Sequence, residues 1–82
     1  MQMEDWEIGR ALRALRLGAG VTQEYVAYLA DTTQAQIARI ELGSRGATLR
    51  MLRGYARAVG DPEPVLRLCE LAIAEDRVKK SA

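Results

Sequence analysis

The sequence predicts an all-α fold of five helices. Apolar residues recur at spacings of three and four along most of the chain, no segment shows the alternating pattern of a strand, and threonine or glycine stands at the ends of the apolar stretches. With 82 residues, the chain fits one compact domain, which we place at residues 1–82. Because so short a domain buries only about 60% of the surface of its unfolded chain, a partner subunit would add stability.

The first helix is predicted to begin at Ile8. Arginines fill the positions between its apolar residues, which recur at helical spacing and are Ile8, Ala11, Leu12, Leu15 and Ala19. Gly18 and Gly20 predict the end of this helix. The sequence therefore predicts an amphipathic helix ahead of the two glycines.

The second and third helices are predicted from threonines that precede short apolar stretches. Thr22 stands before residues 23–30, and Thr33 stands before residues 34–42. A threonine hydroxyl accepts a hydrogen bond from the free backbone N–H groups of a first helical turn, so both residues are predicted N-caps. Gly43 is the predicted stop of the third helix, whose inward residues are Ile37 and Ile40.

The fourth and fifth helices are also predicted from start and stop residues around apolar stretches. Thr48 is the predicted N-cap of the fourth helix and Gly60 its end, and its inward residues are Leu49, Leu52, Tyr55, Ala56 and Val59. The fifth helix is predicted over residues 64–78, since proline suits a first turn. Its apolar arc is broad, which leaves two interpretations open: part of the arc faces a second subunit, or the whole arc closes the core.

Composition excludes several classes of function. The chain has one cysteine, Cys69, and no histidine, so we expect no intrachain disulfide, no zinc site and no cofactor. The commonest general base is absent and the only lysines lie near the C-terminus, so we expect no enzyme. The first seven residues are acidic and no apolar run is long enough to span a bilayer, so a cytoplasmic protein without membrane contact is expected.

Positive charge is concentrated in the middle of the chain. Residues 8–60 have a net charge of +5, from three acids and eight arginines, namely Arg10, Arg13, Arg16, Arg39, Arg45, Arg50, Arg53 and Arg57. The planar guanidinium group matches phosphate geometry, so this set suits a phosphate-contacting surface. The charge pattern alone is equally compatible with a solvated helix face.

The segment Thr22–Glu41 decides between these interpretations. Two short capped helices joined by a turn of three or four residues describe a helix-turn-helix. The segment resembles that of the Cro and phage-repressor family, also called the xenobiotic-response-element family, and the resemblance extends over residues 8–60. It is carried by the Thr-Gln-Glu start of the second helix and by Ala27, Ile37, Ile40, Glu41, Gly43, Thr48 and Leu49. It implies a compact lambda-repressor-like domain, similar to the controller proteins of restriction-modification systems.

The resemblance also implies roles for individual residues. The start of the third helix would contact DNA bases through Thr33, Gln34, Ala35, Gln36 and Arg39. Phosphates would be contacted by Gln23, Ser44, Arg45, Thr48 and Arg50. Arg16 and Glu41 would form a buried structural ion pair. Separately from the resemblance, the broad apolar arc of the fifth helix predicts a dimer interface at Val65, Leu66, Cys69 and Ile73.

Three residues depart from the family pattern. Asp31 stands where the turn usually has glycine, Thr32 where it has an apolar residue, and Leu42 where a polar residue often faces DNA. Aspartate tolerates the left-handed backbone better than most residues, so we expect the turn to survive. Leu42 is expected to contact DNA sugar, a thymine methyl or a protein.

These observations predict a prokaryotic or phage-encoded transcription regulator. It would be nucleoid-associated and bind a pseudo-palindromic operator in double-stranded DNA as a homodimer, with the third helix in the major groove. RNA polymerase or a second protein is a further possible partner. The alternative is an antitoxin or antiactivator that captures a protein through its C-terminal helix.

Overall fold

The computed structural model describes residues 3–68, which form four complete helices and the beginning of a fifth. The helices are α1 (Asp5–Gly18), α2 (Gln23–Leu29), α3 (Gln34–Leu42), α4 (Leu49–Val59) and α5, whose described part is residues 63–68. Within residues 3–68 there is no strand. The predicted all-α fold is confirmed, and the predicted C-terminal end of α5 lies outside the described residues.

Helix α1 begins three residues before the predicted start at Ile8. Its first turn is closed by a capping box, in which the backbone N–H of Glu4 donates to the Glu7 side chain over 3.2 Å. Asp5 and Glu7 also place negative charge at the positive end of the helix dipole. The acidic residues therefore set the start of α1, a signal that apolar periodicity does not contain.

The three threonine caps are confirmed. Each hydroxyl accepts a hydrogen bond from the backbone N–H three residues later, at 3.1 Å for Thr22 and 3.2 Å for both Thr33 and Thr48. Gly43 and Gly60 end α3 and α4 in the left-handed conformation, with φ of 80° and 81°. That conformation suits glycine because it has no Cβ, so the predicted helix stops are confirmed as well.

The turn between α2 and α3 contains Asp31 in the left-handed region, with φ of 54°. Its N–H donates to the Tyr28 carbonyl over 3.3 Å, and the N–H of Thr32 donates to the Ala27 carbonyl over 3.0 Å. These two bonds form a Schellman motif with aspartate where glycine is usual. The expectation that Asp31 would adopt the left-handed backbone is confirmed.

The core lies between the four complete helices and the first turns of α5. Its fully buried side chains include Leu12, Val26, Ile37, Ile40, Tyr55 and Val65. Two residues predicted to face inward do not. Ala19 is exposed because it lies beyond the last turn of α1, and Leu49 is half exposed because it is the first residue of α4.

Helix α4 packs through Gly54 against Ala30, the C-cap residue of α2. A Cβ added to Gly54 would lie 2.5 Å from the Ala30 Cβ, which is too close for any side chain. This contact sets the position of α4 against the helix-turn-helix and so places Tyr55 in the core.

None of the described helices has the length and apolar character needed to cross a membrane.

Candidate nucleic-acid interface

Helix α3 has one face in the core and the other in solvent. Ile37, Ile40 and Glu41 are buried on the inner face. The residues predicted to contact bases lie on the outer side, where Thr33, Gln34, Ala35 and Arg39 are exposed and Gln36 is half-buried. The major groove admits an α-helix, so this face has the shape and the chemistry that base contact requires.

The Thr33 side chain is the N-cap of α3. Its hydroxyl oxygen caps α3 by accepting the Gln36 N–H, while its O–H hydrogen stays available to a further acceptor. Any base contact by Thr33 would therefore use the hydroxyl as a donor.

The loop between α3 and α4 is tied to α3 by side-chain hydrogen bonds. Ser44 Oγ donates to the Arg39 carbonyl over 3.2 Å, and the Arg45 guanidinium donates to the Gln36 amide oxygen. Thr48 ends the loop as the cap of α4. Arg45, predicted to contact phosphate, is thus held beside the outer face of α3, and it still has donors on its other nitrogen atoms.

Helix α4 carries a row of exposed arginines. Arg50, Arg53 and Arg57 are spaced by three and four residues, so they share one face of the helix. None of them forms an ion pair with a carboxylate within residues 3–68. The row begins next to the Thr48 cap and extends the positive surface away from the loop.

Arg16 of α1 and Glu41 of α3 form a buried ion pair beneath this surface. Arg16 Nε and Nη2 donate to the two carboxylate oxygens over 2.8 and 2.9 Å, and only 8% and 5% of the two residues are exposed. Arg16 Nη1 donates to the Val21 carbonyl over 3.0 Å. The bidentate geometry satisfies the guanidinium and holds α1 to α3.

Two further donors form hydrogen bonds with the Glu41 carboxylate. Tyr55 Oη of α4 donates over 2.5 Å and Gln23 Nε2 of α2 donates over 3.1 Å. Burial favours the neutral acid, but the hydrogen bonds from Arg16, Tyr55 and Gln23 outweigh it and hold the pKa of Glu41 below its usual value. Burial and the neighbouring Glu41 raise the pKa of Tyr55, so its phenol stays protonated and donates.

The network reaches the outer face of α3 through Gln23. Gln34 Nε2 donates to Gln23 Oε1 over 2.7 Å. A continuous chain of hydrogen bonds therefore connects the buried Glu41 with Gln34, the first residue of α3. No buried side-chain nitrogen or oxygen in the described part of the chain lacks a partner.

Sequence reasoning placed Tyr55 in the core but did not find its hydroxyl contact. A buried tyrosine needs a partner for its O–H, but the separation of 14 residues between Tyr55 and Glu41 contains no spacing signal that identifies this partner. Arg10, one of the eight central arginines, has its guanidinium carbon 6.0 Å from the centroid of the Trp6 ring. Leu42 is 79% exposed, next to the outer face of α3.

The described residues predicted at a dimer interface differ in their exposure to solvent. Val65 is 1% exposed and belongs to the core of the single chain, so it has no surface to offer a partner, whereas Leu66 is 54% exposed. Cys69 and Ile73 lie outside the described residues. Across residues 3–68, no group of three or more histidine, cysteine, aspartate or glutamate side chains is placed to hold a metal ion.

The capped α2, the tight turn at Asp31 and the surface-exposed α3 define a helix-turn-helix protein of the DNA-binding class. The sequence pattern of the family described as "Helix-turn-helix domain" matches residues 7–69. The chain belongs to this family of DNA-binding transcription regulators, and the predicted family resemblance is confirmed. A comparison with curated proteins finds no match.

Solved structures with the same fold include two regulators. The restriction-modification controller protein C.AhdI from Aeromonas hydrophila has a TM-score of 0.67 and 27% sequence identity, over 76% of this chain and 91% of that chain. The clp gene regulator ClgR from Corynebacterium glutamicum has a TM-score of 0.67 and 24% identity, over 90% of this chain and 95% of that chain. A second ClgR structure has a TM-score of 0.68, 21% identity and coverages of 96% and 85%. The ClgR similarities show the fold alone.

Proposed function

We propose that the protein binds a pseudo-palindromic DNA operator as a homodimer and regulates transcription there, with α3 of each subunit in the major groove. The observation that carries this proposal is the exposed outer face of α3, with its row of polar side chains. The inner face of the same helix is held by the core and by the buried Glu41, so the helix is a rigid element that can be presented to DNA.

Gln34 and Arg39 are the proposed base readers. A glutamine amide pairs with adenine through two hydrogen bonds, and a guanidinium group pairs with guanine in the same way. The Ala35 methyl group would contact a thymine methyl, while Thr33 and Gln36 flank these positions. The exposure of Arg39 and the absence of a side-chain partner for it within residues 3–68 support its availability to a base.

Phosphate contacts are proposed for side chains around the outer face of α3, namely Gln23, Ser44, Arg45, Thr48 and Arg50. Arg45 is the strongest of these because Gln36 orients its guanidinium beside α3. Such contacts set the register of the protein on DNA and make the affinity depend on salt.

A homodimer would use the C-terminal helix. Leu66 is the exposed apolar residue on the described part of α5, and the sequence places Cys69 and Ile73 on the same predicted helix. If the two subunits are related by a two-fold axis, their α3 helices would bind half-sites about 34 Å apart. The operator would then mirror the symmetry of the protein.

Regulation would follow from occupancy of the operator. A bound dimer would repress by blocking RNA polymerase or activate by touching it, in the cytoplasm and nucleoid of a prokaryotic cell or of a cell infected by a phage that encodes it. The similarity to C.AhdI, a restriction-modification controller protein, supports a regulatory role of this kind.

The direct experiment is fluorescence anisotropy of the protein with the DNA upstream of its own gene, repeated over a salt series. We expect binding that is selective over a scrambled duplex and that weakens steeply as salt rises. Footprinting would then give the site, its symmetry and the half-site spacing. Equal affinity for both duplexes would contradict the proposal.

The exposed Leu66 also fits a second candidate function, capture of another protein by the C-terminal helix as in an antitoxin or antiactivator. The molar mass of the isolated protein in solution separates the two. A dimeric mass favours the regulator, and a monomeric mass favours a foreign partner.

A further inference from the structure

Gln36 of α3 is hydrogen-bonded to Arg45 in the loop that follows the helix. The Arg45 guanidinium donates to the Gln36 amide oxygen, and both side chains are half-buried. A guanidinium group has no acceptor, so the amide has to turn its oxygen toward Arg45 and its NH₂ group away from it. This hydrogen bond therefore fixes the direction of the Gln36 amide.

The groups that Gln36 and Arg45 leave free are all donors. Within residues 3–68, neither hydrogen of the Gln36 amide has an acceptor, and Arg45 keeps the N–H groups that do not bond Gln36. The neighbouring Ser44 differs, because its backbone N–H and its hydroxyl both donate to the Arg39 carbonyl, over 3.0 and 3.2 Å. Gln36 and Arg45 thus offer a ligand a set of N–H donors together with a positive charge.

Two parts of DNA present acceptors that match such donors. One is the major-groove edge of guanine, with O6 and N7, and the other is the pair of unesterified oxygens of a phosphate. Around the axis of α3, Gln36 lies about 40° from the buried Ile40 and about 100° from the exposed Ala35. Gln36 is therefore at the edge of the outer face of α3.

The position at this edge favours the phosphate. A helix is about 10–12 Å wide with its side chains, and the major groove is about 12 Å wide. Side chains at the edge of a helix in the groove consequently face the phosphates that line it, whereas the bases lie opposite the centre of the outer face.

We propose that Gln36 donates its amide NH₂ group to a DNA phosphate that Arg45 also contacts, and that it contacts no base. Through its amide oxygen Gln36 also holds the Arg45 guanidinium, so it is a phosphate contact and a positioning residue. Gln36 thereby leaves the set of residues predicted to contact bases. This inference rests on the proposed function, since it requires that α3 lies in the major groove.

Two substitutions of Gln36 separate its two contributions. Gln36→Met keeps the length of the side chain but removes the NH₂ group and the oxygen, so we expect roughly tenfold weaker binding to all sequences. The dependence on salt should change little, because the charge of Arg45 remains. Gln36→Glu still accepts from Arg45 but turns a carboxylate oxygen toward the phosphate. We expect a larger loss, and a slope of log affinity against log salt reduced by about one, because Arg45 is neutralised.

A scan with single methylphosphonates identifies the phosphate. Each modified duplex lacks the negative charge of one phosphate, and affinities are measured by fluorescence anisotropy for the wild type, Gln36→Met and Arg45→Ala. We expect one position at which the modification weakens the wild type strongly and both variants only slightly. Effects that fail to add in this way show that the two side chains and the phosphate interact.

Gln34→Met is the matched control, because it makes the same substitution at a proposed base reader on the same helix. Sequences are selected from a randomised duplex library with each protein. We expect Gln34→Met to relax the base preference at one position, and Gln36→Met to select the same sequences as the wild type. Circular dichroism and urea unfolding verify that the variants are folded, and Gln36→Glu provides the same comparison independently of Gln36→Met.

The possible outcomes distinguish this inference from the proposed function. If the wild type selects no sequence, the proposed function fails and the inference with it. If the wild type selects a site and a folded Gln36 variant relaxes one base position, Gln36 reads a base and the inference alone is overturned. An unchanged affinity of Gln36→Met, or a loss of the same size on every methylphosphonate duplex, overturns it as well.

Discussion

Gly9 of α1 packs directly against the carbonyl oxygen of Ile40 in α3. A Cβ at Gly9 would lie 2.1 Å from that oxygen and 3.2 Å from the backbone of Glu41. Neither neighbour is a flexible side chain that could move aside. The absence of a side chain at Gly9 thus allows the approach of α1 to α3 that brings Arg16 within reach of Glu41.

Substitution Gly9→Ala is expected to destabilise the fold by about 1–3 kcal/mol, because the new methyl group forces α1 away from α3. The gain in helix propensity, about 1 kcal/mol, offsets only part of this cost. The measurement is the urea midpoint of unfolding, followed by circular dichroism.

The control for Gly9→Ala is Gly18→Ala. A Cβ at Gly18 meets nothing within 4 Å, and this glycine is the last residue of the same helix. We expect stability to be unchanged or to rise by up to about 1 kcal/mol. Equal changes in the free energy of unfolding at the two glycines would mean that α1 and α3 do not need to approach closely at Gly9.

Tyr55→Phe removes one donor from the Glu41 carboxylate and leaves the ring in the core. We expect a loss of about 1–3 kcal/mol at pH 7, since a buried charged acceptor loses a partner. Tyr28→Phe is the control because its side chain is 79% exposed, and its effect should stay within about 0.5 kcal/mol. A negligible cost at Tyr55 would show that its hydrogen bond contributes nothing net.

The same variant tests the pH dependence of stability. The pKa of Tyr55 in the folded protein is raised above its ordinary value of 10.0, so above pH 10 the unfolded chain loses the phenolic proton first. Fewer protons bound in the unfolded state mean that stability falls as pH rises through this range. We expect the stability difference between wild type and Tyr55→Phe to shrink as pH rises above 10.0, measured by urea unfolding against pH.

Arg45→Ala is expected to weaken binding to all DNA sequences alike. Loss of one phosphate contact should reduce the slope of log affinity against log salt by about one. The control is Arg67→Ala, since Arg67 pairs with Glu63 on α5, and its affinity and slope should match the wild type. A loss confined to certain sequences would instead assign Arg45 to base contact, together with its partner Gln36.

Leu66→Lys tests the proposed dimer. A charged group at this exposed apolar position of α5 should convert the dimer to a monomer at concentrations where the wild type is dimeric, as measured by sedimentation equilibrium. Leu17→Lys is the control, because Leu17 has a similar exposure, 51% against 54%, and lies on α1. A dimer that persists in Leu66→Lys would place the interface elsewhere.

The parts of the fold that could be predicted from sequence are those set by neighbours in the chain. A threonine hydroxyl caps the N–H three residues later, and a glycine ends a helix through its own φ, so the limits of α3 and α4 follow from a few adjacent residues. The start of α1 also has a local signal, the capping box between Glu4 and Glu7, but it lies ahead of the apolar residues and apolar periodicity therefore does not contain it. The pairing of Arg16 with Glu41 came from the family resemblance.

By itself, then, the sequence determined the fold class, the helix-turn-helix and the polar row on α3, since each depends on residues within a few positions of one another. Tertiary structure alone decided that Tyr55 and Gln23 share one carboxylate, that Gln23 orients Gln34, and that Val65 is core while Leu66 is surface. The two residues of each hydrogen-bonded pair lie 11 to 18 positions apart in the sequence. Only the packing of four helices brings such groups within hydrogen-bond distance, and no local spacing encodes it.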